Sequence, residues 1–300
     1  MKLKSFLLTI LTASSALSYT FAQSDSNTPT LFNPDDLEKV STNYAFTEGC
    51  SADKDGNVFF TDQPNDKVWK FGTDGKVTLF LEKTGRANGT FFDKKGNLIL
   101  CADEKGELWS VDKKGKAKVI AKSFEGKQLN GPNDLWIDPA GNTFITDPYY
   151  QREYWTRQTA EIPHQSVYII PKGSNKIILA ADSLNQPNGI VGSPDGKYLY
   201  IADAGAGKIY RYTIGEKGKL SAKRLLINRG SDGMTLDNKG NIYLTGNGIT
   251  IYTSEGQQIA QIKVPEGTSN VCFGGKEKNI LFITARTSLY TIPMSVKGVE

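Results

Sequence analysis

The 300-residue chain predicts an all-β fold, a six-bladed β-propeller whose N-terminal strand closes the last blade, and three observations carry that prediction. A motif of polar residue, Gly, short apolar run, Asp, Gly and Asn returns six times, most completely in Asp232-Gly233-Met234-Thr235-Leu236-Asp237-Asn238-Lys239-Gly240-Asn241. Its leading residues are Glu48, Asn88, Asn133, Asn188, Asp232 and Asn270, at intervals of 40, 45, 55, 44 and 38, a period of propeller blades rather than of short helical repeats. A second mark follows each leading residue: Val68-Trp69, Leu108-Trp109, Val167-Tyr168, Ile209-Tyr210, Ile251-Tyr252 and Leu289-Tyr290. Helical periodicity is almost absent after Asp36, so each unit reads as four short strands. One such sheet cannot bury both faces, and six of them do so by closing radially.

Taken in order, Met1-Lys2-Leu3-Lys4, the apolar run from Phe6 to Leu11 and the small residues up to Ala22 have the three parts of a secretory signal peptide. Cleavage after Ala22 is expected, giving a periplasmic or secreted protein; the apolar run is too short for a stable membrane anchor. Residues 23–36, polar and containing Pro29 and Pro34, read as a linker, and residues 37–300 as a single propeller. The segment Val40 to Phe46 looks like a strand without a blade of its own, while the last unit ends soon after Ile292 and lacks an outer strand; pairing the two closes the ring. Within the first unit, Asp53 to Asn57 is a turn, Val58-Phe59-Phe60-Thr61 a buried strand, Val68 to Phe71 an alternating strand, and Asp74-Gly75 a hairpin signal before Val77 to Leu81.

The formal charge of +4, and about +2 once Lys2 and Lys4 leave with the signal, is no nucleic-acid footprint, and no basic stripe interleaved with aromatics appears. Cys50, Cys101 and Cys272 are scattered and odd in number, neither a disulfide framework nor a zinc spacing, and read as buried thiols. His164, the sole histidine, has no Ser or Cys motif to serve and reads as a solvated or packing residue.

Chain reversal places the six leading residues, the ends of the second strands (Asp62, Asp103, Asp147, Asp203) and the loops after them on one face. The resulting ring is rich in oxygen and carries two full charges, Glu48 and Asp232. It suits a hard divalent cation, Ca²⁺ first among candidates with Zn²⁺, Mg²⁺ and Mn²⁺ open. The alternative is that Asn, Asp and Glu before Gly merely make blade-entry turns; Glu48, not a favoured turn residue, argues against that. The longest interval comes from the segment Pro148 to Arg157, on the same face. Its Tyr149, Tyr150 and Arg152 read either as a substrate wall beside the ion or as a surface loop packing on its neighbour.

Together, Glu48-Gly49, Leu129-Asn130-Gly131-Pro132-Asn133-Asp134 leading to Thr146-Asp147-Pro148-Tyr149, Gln186-Pro187-Asn188-Gly189, Ser231-Asp232-Gly233, and Phe273-Gly274-Gly275 leading to Thr284-Ala285-Arg286 resemble the gluconolactonase and senescence marker protein (regucalcin) family. The resemblance, from about Glu48 to Ile292, implies a divalent metal held by Glu48, Asn188 and Asp232, with Asn133 beside it as a further ligand or substrate contact; Asn88 of the ring is an expected substrate contact. It further implies hydrolysis of a sugar lactone, with the metal polarising the carbonyl and Asp232 as general base. The chain departs from the family at Cys50, where many relatives carry Pro, at Gly131, where some carry Arg, and at Ala102-Asp103. A small-molecule lactone or ester is the expected partner. An esterase or phosphotriesterase-type propeller, or a ligand-binding propeller with a structural ion, are the alternatives.

Overall fold

In the computed structural model, which describes residues 30–299, six four-stranded antiparallel sheets each run from an innermost to an outermost strand. The innermost strands are Thr47–Ala52, Ala87–Phe92, Leu135–Ile137, Pro187–Gly192, Met234–Leu236 and Thr268–Gly274. Each packs beside the next, and the sixth beside the first, so the ring is closed. The expected signal peptide, residues 1–22, and the first part of the expected linker lie outside the described residues.

Closure comes from Glu38–Thr42, which pairs antiparallel with Ser288–Pro293 as the outer strand of the sixth blade, Lys39 opposite Tyr290. The strand lies a little earlier than the sequence led us to expect. Asn43 adopts a left-handed φ of 75°, which ends the ladder. Beyond it the amides of Ala45 and Phe46 donate to Asp62 Oδ1 rather than to a neighbouring strand. Residues 31–37 do more than connect: Leu31, Phe32 and Leu37 pack against the apolar cluster of the fifth and sixth blades.

The repeated Asp-x-x-Gly-Asn turn is built the same way four times. Asp53 Oδ1 accepts the amides of Asp55 and Asn57 while Oδ2 takes Asn57 Nδ2 at 2.7 Å. Asp93 with Asn97 and Asp237 with Asn241 repeat all three bonds, and Asp138 repeats the two to Asn142. In the fourth blade the register differs from the one the Asp195-Gly196 pair implied. Ser193 occupies the aspartate's place, its Oγ accepting the amide of Tyr198 at 2.9 Å and donating to Asp195.

The core lies between blades. One cluster joins Trp136 and Phe144 of the third blade to Ile190 and Tyr200 of the fourth and Leu236 and Ile242 of the fifth. Each large side chain so buried contributes about 1.5–3 kcal/mol. Cys50 and Cys272 sit together in another such cluster and, like Cys101, are buried free thiols.

Candidate active site

The glycine that follows four of the six leading residues is there for close approach, not for a turn. A Cβ on Gly49 would lie 2.0 Å from the Asn88 carbonyl oxygen, and one on Gly189 would lie 2.3 Å from that of Asp232. The innermost strands therefore touch where the leading residues sit. Glu48 lies within its strand rather than in an entry turn, at a break in the ladder between Glu48 and Ser51.

Five predicted residues converge here. Glu48 is 3% exposed; its Oε2 accepts the amide of Gly49 at 3.1 Å and the carboxylate also bonds the Asn270 side chain. Asp232, partly open to solvent, shares hydrogen bonds with Asn188 and with Glu48. Asn188 Nδ2 in turn donates to the Tyr150 hydroxyl at 3.0 Å. Arg152 lies over the Tyr150 ring, 5.4 Å from its centroid, and its charge is felt at Asp232. Asn88 and Asn133 are buried at the heads of the neighbouring blades, where the Asn133 carbonyl accepts the amide of Gly89. Tyr149 is placed differently: it packs against Trp155 at 5.6 Å and under the Arg157 guanidinium, and so props the loop from within. His164 is exposed.

Two further residues matter to which the sequence assigned no role of their own. Asp134 replaces the glycine found after four of the other leading residues, and its charge reaches Glu48; that substitution was the available signal. Asp103 is the other. In three blades the aspartate ending the second strand braces the entry to its own blade by accepting two successive amides: Asp62 from Ala45 and Phe46, Asp147 from Asn130 and Gly131, Asp203 from Asn185 and Gln186. At the entry to the second blade Asp66, from the first blade, does this work, taking the amides of Thr84 and Arg86. Asp103 is thereby released, and its buried carboxylate instead accepts Arg152 Nε at 3.1 Å, the Tyr154 hydroxyl, and Gln63 Nε2 at 3.3 Å. Arg86 stacks on Tyr154 at 4.4 Å and Arg157 on Trp155 at 3.9 Å. The segment after Asp147 is thus pinned over the mouth by Asp103, at the level of Tyr150 and Arg152.

Electrostatically the cluster is only weakly compensated, by the charge of Arg152. Burial pushes the Asp232 carboxyl up to about 6, and burial together with the charges of Asp232 and Asp134 pushes Glu48 well above the carboxylate range. Among the described residues neither acid forms a salt bridge; the nearby arginine is engaged by Asp103. Two carboxylates in hydrogen-bonding contact require a proton or a cation between them. Carboxylate and amide oxygens are the donors of hard divalent ions. Among the described residues no three acidic, Cys or His groups gather to hold a metal by themselves, so the amide oxygens of Asn188 and Asn133 would complete the set. The residues present fit such an ion.

Fold and site together define a class: a six-bladed β-propeller with a hard-oxygen cluster at one end of its central channel. Residues 46–287 match the SMP-30/gluconolactonase/LRE-like region, and the chain belongs to that family. It is 28% identical over 296 residues to a gluconolactonase of Zymomonas mobilis subsp. mobilis, covering 87% of this chain and 82% of the relative. A diisopropyl-fluorophosphatase of Loligo vulgaris is 26% identical over 277 residues, covering 82% and 87%. Among solved structures, a gluconolactonase of Xanthomonas campestris superimposes with a TM-score of 0.81 at 26% identity, over 86% of this chain and 89% of that one.

Proposed function

We propose that the protein is an exported, metal-dependent hydrolase that opens a sugar lactone. The observation that carries this reading is the buried Glu48 and Asp232 pair, whose members touch without a salt bridge to either acid among the described residues and which is bonded through Asp232 to Asn188. A divalent cation held by Glu48, Asn188 and Asp232, with Asn133 beside it, would supply Lewis-acid polarisation of the lactone carbonyl, Ca²⁺ being the first candidate. Asp232, partly open to solvent, takes the proton of the attacking water as oxygen bonds to the carbonyl carbon. The ring C–O bond then breaks, the departing oxygen recovers a proton from Asp232, and the product is the hydroxy acid. Asn88 and Asn133 offer amides to ring hydroxyls, while Tyr150 and Arg152 form the wall of the mouth.

A panel of gluconolactone, an aryl ester and a phosphotriester, assayed at equal metal and again with chelator, tests the reading. Lactone hydrolysis that chelator abolishes supports it. Preferred turnover of the phosphotriester would replace it with the second reading, which the likeness to the diisopropyl-fluorophosphatase supports. No turnover with any of them would leave a ligand-binding propeller. Export rests on residues 1–22 and is checked by finding Gln23 at the N-terminus of protein recovered outside the cytoplasm.

Asp103 acts through the loop it anchors. Asp103→Asn keeps the shape but removes the charge opposite Arg152, and KM is expected to rise roughly tenfold with kcat changed far less, since a hydrogen bond to a charged group contributes about 1.5–3 kcal/mol. An equal loss in kcat and in kcat/KM would place Asp103 in the chemical step instead.

Stability should follow the same carboxylates. A group whose folded pKa is raised disfavours the folded state once it ionises, so metal-free protein loses stability as pH climbs from the ordinary carboxylate range through about 6 for Asp232 and beyond for Glu48. Asp147, raised to about 7 by burial, has the same sign. The lowered acids Asp195 and Glu266, both held near 2 by hydrogen bonds, lose their contribution only at pH values below this window. Calorimetry in chelator should therefore show a melting temperature falling between about pH 4.5 and 7.5. Added Ca²⁺ should reverse the trend, because the ion binds deprotonated ligands.

A further inference from the structure

We propose that the cleft between the first two blades, on the face opposite the carboxylate cluster, binds a small organic anion with an apolar body, of the kind of a medium-chain carboxylate. The cleft has a volume of about 850 Å³, within the size range of small-molecule sites. It opens where the innermost strands end: Ser51, Ala52 and Asp53 line it, three to five residues and roughly 10–17 Å along the strand from Glu48. A ligand there does not occupy the mouth.

Its floor is aromatic. Phe59 meets Phe80 edge-on at 4.9 Å and Phe92 at 5.0 Å, and Phe80, Phe91 and Phe92 all retain exposed surface. Apolar walls of that extent in open contact with water favour an occupant that covers them.

The rim carries a net positive charge, because six lysines line it against four aspartates, Asp53, Asp55, Asp93 and Asp112. Asp53 and Asp93 spend both carboxylate oxygens on their own turns, and Asp112 accepts the amides of Lys114 and Lys116. Lys70, Lys95 and Lys113 have no carboxylate partner among the described residues; Lys70 lies over the Phe59 ring at 5.7 Å. Lysine ammonium groups around an aromatic floor complement one carboxylate joined to a hydrocarbon chain or ring. An inorganic anion would leave the floor wet, and a neutral lipid would leave the lysines unpaired.

The test is calorimetric titration of the full mature chain with octanoate. One octanoate per chain is expected, with affinity falling as salt is raised. The double variant Lys70→Glu and Lys113→Glu should weaken binding roughly tenfold or more, the size of a lost charge-assisted contact. The neutral isostere 1-octanol should bind at least about tenfold more weakly. Lactone hydrolysis should be unchanged in the double variant, so this inference and the lactonase reading stand or fall separately. No saturable heat up to about 10 mM, equal isotherms for wild type and variant, or equal binding of octanol and octanoate would each overturn it.

Discussion

Asp232→Asn is expected to lower lactone hydrolysis by roughly 10²–10⁴-fold, the range over which a positioned general base contributes. Asparagine fills the same space and keeps an oxygen toward the neighbouring Asn188 and Glu48, so the propeller should remain folded. Metal-free protein should even gain stability at pH 8, because one of two buried carboxylates in contact is gone. The same substitution should reduce the rise in melting temperature that Ca²⁺ gives the wild type. Measuring rate and metal-induced stabilisation on one preparation separates the two roles: slow turnover with the ion still bound marks a base, and loss of both marks a ligand. A variant that binds metal and turns over lactone at the full rate would remove Asp232 from the chemistry. Glu48→Gln, at a side chain more deeply buried than Asp232, should act through the ion alone.

Gly189→Ala should be among the most damaging single changes to the fold. The added methyl would sit 2.3 Å from the backbone carbonyl of Asp232 and 3.1 Å from the Gly233 Cα, neither of which can rotate away. Relief requires the fourth and fifth innermost strands to part by roughly 1 Å to reach van der Waals distance. Overpacking of this kind costs about 3 kcal/mol, or about 6–12 °C in melting temperature for a domain of this size. The displaced strand carries Asn188, so metal affinity should fall with stability. An unchanged melting temperature would show that neighbouring blades tolerate more separation than the packing implies.

Both predictions rest on features that differ in how legible they were. The six leading residues could be found by counting, because turn chemistry and hairpin length fix the spacing along the chain, and chain reversal fixes which ends share a face. The extra strand at the N-terminus was legible for the same reason, an unpaired outer edge being costly; its boundaries were not, because Asn43 and Asp62 end it through a left-handed residue and a side-chain bond. Tyr149 and Tyr150 are adjacent and chemically alike, yet only Tyr150 reaches Asn188. Asp62, Asp103, Asp147 and Asp203 recur at the same point of the repeat, and nothing local distinguishes the one that leaves its blade to hold Arg152.

Sequence alone therefore determined the number of blades, the closing strand and the ring of acids and amides at one mouth, all consequences of local periodicity and connectivity. Tertiary structure alone decided that Glu48 and Asp232 touch, that Asp103 anchors the loop above them, and that three lysines surround an aromatic cleft on the far face. Those depend on distances between residues far apart in the chain. Such distances are set by how blades pack against one another, which no single repeat encodes.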